Sequence, residues 1–461
     1  MGIVGAYALP HPPLIIPQIG NGEEKKIQRT VEAYDQAARE IASWEPETLV
    51  IISPHAVMYQ DYIHIAPGER AFGSFERFGY AGVGIGVSCD LAMGEMVEKK
   101  AREAGIAAGG LGRIDDSIDH GGLIPLYFIR RYLPDFQVCR ISVSGLGLSE
   151  HYRFGMCLRA AAEALGRRIA IVASGDLSHH LKDSGVYSYT PQGPAFDKRL
   201  TDDFKKGDFM DFFRFSEDFC QSAGECGMRG FMMMAGAFEE RKVKPRFLSY
   251  EGPFGVGYCV CGFLDQGPDP SRGFYRLWKK ERRDAAREIA GRSDPYVQLA
   301  RRSIQYYLKE RHTMELPEDL PCEMWEKQAG VFVSLKKEGR LRGCIGTIEP
   351  TCGRLGEEIL YNAVGAAIGD PRFPPVQKEE LEELVITVDV LSEPQPVSGP
   401  EDLDPRRYGV IVSYGNLKGL LLPDLEGIHT PQEQIRTALK KAGIPSAVEY
   451  KLSRFEVTRH H

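Results

Sequence analysis

The sequence predicts an α/β domain built on a mixed central sheet, followed by a smaller α+β domain. Three observations lead there. In the first half, short runs that are apolar at every position alternate with stretches of helical period, as strands covered on both faces and their crossover helices do. In the second half the apolar runs come as pairs around turn residues, the mark of hairpins. Between the halves, Asp265-Gln-Gly-Pro-Asp-Pro-Ser is rich in turn formers, and 272–292 carries eight basic residues against three acids. The first domain is therefore placed at 1–268, a basic linker at 269–288 and the second domain at 289–461, and 461 residues suffice for two cores.

Taken in order, Val4–Leu9 is a short apolar strand. Glu23–Trp44 carries Ile27, Val31, Tyr34, Ala38 and Ile41 at helical spacing. Thr48–Ser53 and Arg168–Ser174 are buried-type strands. Ser149 reads as the N-cap of a helix that Gly166 stops. Cys226–Glu239 reads as a helix and Val256–Leu264 as a closing strand. In the second half, Asp294 caps a helix with Pro295 at its first position, and Val297, Ala300, Ile304, Tyr307 and Leu308 form its apolar stripe. Val331–Leu335 and Leu341–Ile348 form a hairpin, and a helix near 355–368 and a strand Leu384–Leu391 follow. Val410–Val412 and Leu420–Leu422 form a second hairpin, and Thr430-Pro-Gln-Glu opens a helix that Gly443 ends.

Composition narrows the function classes. With 43% hydrophobic and 26% charged residues the chain is neither disordered nor fibrous. A net charge of −7 argues against nucleic acid as the partner of the whole chain. No apolar run reaches the roughly 20 residues of a membrane helix, and the N-terminus lacks a signal-type stretch, so the expectation is a cytoplasmic protein with no membrane partner. Ten cysteines without a C-x-x-C pair read as reduced thiols.

Histidines stand at the strand ends. His11 follows the first strand, His55 the second, and His179 the strand at 168–174. The carboxyl ends of strands face the ligand crevice of open α/β sheets, so three imidazoles distant in sequence converge on one crevice. Prolines 12, 13 and 54 stiffen the backbone beside two of them. Two imidazoles and a carboxylate hold Fe(II) with positions left open. The carboxylate candidates are Glu225, in Ala-Gly-Glu-Cys-Gly-Met-Arg, and Glu251, in Ser-Tyr-Glu-Gly-Pro-Phe-Gly; spacing does not rank them. Asp119-His120-Gly-Gly adds a histidine on a glycine-rich loop, and segments 57–80 and 181–195 shape the pocket.

These strings, namely His11-Pro-Pro, Ser-Pro-His55, Asp-His120-Gly, Gly-Asp-Leu-Ser-His179 and Ala-Gly-Glu225, resemble in order the class III extradiol dioxygenases of the LigB type and, more distantly, the Memo proteins, over about 1–265. The resemblance implies a non-heme Fe(II) enzyme that uses O₂ on a small phenolic or catechol-like substrate, with Zn as the alternative ion. It implies His11, His55 and Glu225 as metal ligands, His179 as the acid/base residue, His120 as a hydrogen-bonder on the substrate side, and His180 pointing away. The Memo relatives place a cysteine as ligand in a Cys-Gly-Arg context, so Cys226 rivals Glu225, with Glu251 behind both. A thiolate ligand favours Zn or a redox role over oxygenation.

The second half carries Leu341-Arg-Gly-Cys-Ile-Gly-Thr, Asp370-Pro-Arg-Phe-Pro-Pro, Gly419-Leu-Leu-Leu-Pro and Lys440-Lys-Ala-Gly-Ile, and over roughly 290–457 it closely resembles the AMMECR family. The fused order resembles the A proteins of the AmmeMemoRadiSam system, which implies a radical-SAM protein as partner. Glycine in a strand often marks a close approach by a ligand or another chain. Cys344 is either a small packing residue or a thiol activated by Arg342, two residues away on the same strand face. Arg342 and Arg372 together would clamp an anionic substrate or partner.

Overall fold

The computed structural model describes residues 2–183, 187–425 and 427–461. The chain divides into two compact units, one ending at Trp278 and the other beginning at Lys279. In the first, the strands are β1 (Ile3–Leu9), β2 (Thr48–Ser53), β3 (Ile63–His64), β4 (Arg70–Phe75), β5 (Tyr80–Cys89), β6 (Ala108–Gly109), β7 (Gln137–Ser142), β8 (Ile169–Ser174), β9 (Arg241–Glu251) and β10 (Tyr258–Pro268). Eight of them form one mixed sheet in the order β4-β5-β7-β2-β8-β1-β10-β9, and β3 and β6 pair separately. The stretch β7-β2-β8-β1 is parallel, and β10 joins β1 antiparallel.

The apolar runs behave as their composition demands. Val50 and Ile52 enter one core and Leu49 and Ile51 the other, so β2 is covered on both faces. The helix Gln28–Ser43 lies against the second core through Tyr34, Ala38 and Ile41, and a short 3₁₀ turn, Glu23–Ile27, precedes it. Several expected ends move. The helix expected to start at Ser149 spans Leu148–Leu165, because Gly147 is its N-cap and donates its N–H to Glu150 at 3.0 Å; Gly166, left-handed at φ 65°, ends it. The helix expected over 226–239 is Met228–Gly236. The closing strand is half of an antiparallel hairpin with β9, whose alternating basic and apolar residues gave no strand signal. The basic linker is itself a helix, Phe274–Arg292, and Lys279 and Arg283 both reach Glu383.

The second unit holds two antiparallel sheets. One, in the order β12-β11-β13-β18, contains β11 (Val331–Lys337), β12 (Arg340–Gly346), β13 (Val385–Leu391) and β18 (Val457–His460). The other, β14-β17-β15-β16, contains β14 (Gln395–Val397), β15 (Gly409–Tyr414), β16 (Leu417–Leu421) and β17 (Lys451–Phe455). Asp294 caps the helix Pro295–Glu310 by accepting from the backbone N–H groups of Tyr296 and Val297. The helix expected to 368 ends at Val364 and passes into a π-helical turn, Gly365–Gly369. Among the described residues no helix is long and apolar enough to cross a membrane.

Candidate metal centre

The parallel strands set the site. His11 lies two residues beyond the end of β1, His55 two beyond β2, and Asp176 two beyond β8, all at one edge of the sheet. A fourth element meets them there. A Cβ on Gly175 would stand 2.2 Å from the Cα of Gly227, so the absence of a side chain lets the β8 turn touch the start of the helix Met228–Gly236. That approach brings Cys226 to His11.

The donors converge. His55 Nε2 is 2.9 Å from His11 Nε2, and Cys226 Sγ is 3.6 Å from the same nitrogen. A hydrogen bond between the two imidazoles accounts for the first distance, but not for the sulfur arriving at the same point. Two nitrogens bound to one ion at about 2.0–2.1 Å and about 90° stand about 2.9 Å apart, and a nitrogen and a thiolate bound at tetrahedral angles stand about 3.5 Å apart. Three side chains thus fit one transition-metal ion: His11 buried, Cys226 half-buried, His55 exposed. His11 Nδ1 lies 2.9 Å from Ser174 Oγ, which orients the ring with Nε2 toward the others. Ser53 Oγ accepts the His55 backbone N–H at 3.2 Å and donates to Asp119 at 2.5 Å.

Charge is scarce in this crevice. Burial, aided by the neighbouring imidazoles of His55 and His120, holds His11 well below the usual histidine range, so it is neutral and its lone pair is free. Burial and the nearby Asp176 carboxyl push the Cys226 thiol well above its ordinary value, so only a bound cation would strip its proton near neutrality. The Asp176 backbone N–H already points at Cys226 Sγ, 3.2 Å away. Asp176 itself is pushed up to about 6 by burial, although it accepts the His11 N–H at 2.8 Å. Its Oδ2 stands 3.9 Å from both His11 Nε2 and His179 Nε2.

The expected residues fall into two groups. His11, His55, His120 and His179 come together: the His120 ring stacks on His55 at 4.2 Å and lies 5.3 Å from His11. His120 is not on a loop but opens the helix His120–Ile129, with Asp119 as its N-cap, and burial lowers its pKa to about 4. His180 turns to the Ser188 carbonyl, away from the centre. The carboxylates do not join. Glu225 accepts the Met228 N–H at 2.6 Å and so caps the helix that follows, while burial pushes it up to about 7. Glu251 accepts the N–H and the hydroxyl of Thr30, both at 2.7 Å, at the first turn of Gln28–Ser43. The side chain that meets the two imidazoles is Cys226, while Glu225, expected as the third ligand ahead of it, caps the following helix instead of joining that set. Asp176, inside the Gly-Asp-Leu-Ser-His179 string, was given no role by the sequence; its place two residues past a buried strand, the same as that of His11 and His55, was the available signal.

Beside the centre lies a cavity of about 770 Å³. His55 and His120 line it, together with Phe72 and Phe78, the ring of Phe78 lying 5.5 Å from His120. Of the segments expected to shape a pocket, 57–80 contributes widely; within 181–195, residues 184–186 lie outside the described residues.

In the second unit the expected anion clamp is closed from within. Arg342 binds Glu380 through Nε at 3.2 Å and Nη2 at 2.9 Å, and Arg372 binds Asp370 through Nε at 2.9 Å and Nη2 at 2.7 Å. Asp370 also accepts the Cys344 N–H at 2.9 Å, and Cys344 Sγ accepts from Ser334 Oγ at 3.3 Å. The glycine-rich strand makes room for its own chain: a Cβ on Gly343 would stand 2.1 Å from the Ala366 carbonyl. Each arginine is thus paired with an acid of its own unit.

Comparison with known proteins agrees with this division. Residues 5–261 match the family model described as the catalytic LigB subunit of aromatic ring-opening dioxygenase, and residues 297–460 match AMMECR1. A protein of Clostridium acetobutylicum is 41% identical across all of this chain and 99% of its own length. A Thermotoga maritima protein is 49% identical over 36% of this chain and 97% of its own length. A crystal structure of an uncharacterized Pyrococcus horikoshii protein covers 36% of this chain and 88% of its own, at 37% identity and a TM-score of 0.34. The chain belongs to the LigB family, as a two-domain member in which an AMMECR1 domain follows the LigB domain.

Proposed function

We propose that the LigB domain is a metal-dependent oxidoreductase that opens the ring of a small phenolic or catechol-like molecule with O₂, using Fe(II) held by His11, His55 and Cys226. The single observation that carries this is the convergence of those three donor atoms beside a cavity walled by Phe72 and Phe78. A redox-active ion bound there would supply a path for electrons from an oxygen-bearing ring to O₂, which paired-electron chemistry lacks. The protein's own groups handle the rest. Burial holds His179 below the usual histidine range, so it is a neutral base ready for a phenolic proton, and Asp176, 3.9 Å away, stabilises the imidazolium that results. His120, neutral, offers a hydrogen bond from the cavity wall.

Cys226 favours a second reading. A thiolate selects zinc or Cu(I) more readily than it completes an oxygen-activating Fe(II) site. On that reading the domain holds a non-oxygenase metal and works beside a radical-SAM partner. Anaerobic purification, elemental analysis with and without Fe(II) reconstitution, and O₂ uptake on a panel of catechols separate the two. About one iron per chain with substrate-dependent uptake is the expected result. Zinc, or iron without uptake on any phenol, replaces it with the second reading.

A further inference from the structure

The cavity beside the metal centre has a second polar wall, formed by His64 from β3 and by Arg140 and Ser142 from β7. His64 is 2% exposed, and its Nε2 has no hydrogen-bond partner. Its backbone is fixed, with the N–H donating to Ser142 Oγ at 3.2 Å. Arg140 is fixed too: Nη1 donates to the Ser117 carbonyl at 2.7 Å and Nη2 to that of Asp115 at 2.8 Å, while Nε is buried without a partner. Those bonds use two of the five N–H groups of a guanidinium. Beyond the two carbonyls it touches the Cys89 thiol, which burial keeps protonated and neutral.

The acids that line the cavity accept their hydrogen bonds from other groups, although the Asp115 charge is also felt by Arg140 and His64. Asp119 accepts from Ser53 and from the N–H groups of Gly121 and Gly122. Asp115 accepts from the N–H and hydroxyl of Ser117. Glu76 sits exposed beside Arg77. A half-buried cation that hydrogen-bonds to no carboxylate, with Asp115 acting on it only through space, next to a buried imidazole nitrogen with no partner, is costly unless a ligand completes it.

We propose that His64 and Arg140 form the subsite that recognises an anionic oxyacid group, carboxylate or phosphate, on the substrate of the LigB domain. The subsite deepens the reading above and rests on it for the word substrate: the hydroxyl-bearing end faces His55 and His120, and the anion accepts from Arg140 and from His64 Nε2–H. A pair of charge-assisted bonds to one oxyacid discriminates strongly against a neutral analogue.

The test needs neither metal nor turnover. The full chain is titrated calorimetrically with benzoate, phenyl phosphate and benzyl alcohol. At least one anion is expected to bind about ten-fold or more tightly than the alcohol. Benzoate ahead of phenyl phosphate identifies a carboxylate and the reverse order a phosphate monoester; either supports the subsite. Arg140→Gln and His64→Phe are each expected to erase most of the preference, and Arg140→Lys to retain part of it. Because Arg140 also holds the 115–117 backbone, His64→Phe is the variant that keeps the test valid if Arg140→Gln unfolds. Equal affinity for the three probes, no anion binding, or a preference that survives His64→Phe and any folded Arg140→Gln protein overturns the proposal. A chain that selects the anion but consumes no O₂ keeps the subsite and loses the ring-opening reading. A chain that oxidises neutral catechol without selecting the anion does the opposite.

Discussion

The LigB domain and the AMMECR1 domain each gather polar side chains beside glycine-rich backbone, yet their atoms end in different states. In the first, His11 Nε2, His55 Nε2 and Cys226 Sγ face one another at one point, with no cationic side chain paired to any of them. In the second, Arg342 and Arg372 are matched nitrogen for oxygen by Glu380 and Asp370, and the Cys344 N–H is taken by the same Asp370. The residue types advertise chemistry equally well in both. What separates them is capacity left over: a closed ion-pair network holds a fold together, while three metal-ligating atoms that converge on one point have room for an ion between them.

The largest expected effect is on the open cluster. His11→Ala or Cys226→Ser should cut bound metal from about one ion per chain to background, read by elemental analysis of folded protein. Undiminished metal in either variant would remove the distinction. Next in size is the closed cluster. Glu380→Ala leaves Arg342 without its partly buried counter-charge and Lys337 with Glu383 alone, and the AMMECR1 domain should lose about 2–3 kcal/mol in denaturant unfolding, with metal content unchanged. Burial acts to raise the Glu380 carboxyl, but the bonds from Arg342 and Lys337 outweigh it and hold it down at about 2. Its stabilisation is therefore complete above the unfolded carboxyl range and lost as pH falls toward 2. The stability gap between wild type and Glu380→Gln should be widest at pH 7 and close between pH 4 and pH 2. Ser174→Ala, which unseats the His11 ring without touching a donor, should weaken metal binding by roughly 10–100-fold in chelator competition. The smallest effect belongs to Cys344→Ser, expected within about 0.5 kcal/mol in stability and without effect on metal.

Much of the first site was legible because strand ends are local features. An apolar run followed by proline and histidine announces both the element and the direction its last residues face, and His11, His55 and His179 lie where that logic puts them. Sequence alone left Glu225 ahead of Cys226 because the two are adjacent, and the position of the next helix determines which of them faces the imidazoles. That helix starts at Met228 and consumes the carboxylate. In the second domain the hairpin was plain, but the partners of Arg342 and of the Cys344 N–H sit 38 and 26 residues away, beyond what a local string reveals. The glycines read as room for a visitor make room for the same chain, Gly343 for the π-helical turn and Gly346 for Phe332.

The place of β1 in the sheet has a consequence for how the protein is made. The strand of this domain that comes earliest in the sequence lies inside the sheet, between β8 and β10, and its pairs join Ala8 to Cys261 and Gly5 to Leu264. His11 at its tip waits for Cys226, 215 residues later. A nascent chain that ends anywhere before β10 has an unpaired inner edge, and contacts of such separation fold slowly. An ion held by His11, His55 and Cys226 would therefore bind late, after the last strand of the domain has closed over the first, and any factor that loaded it would meet a finished domain rather than an emerging chain.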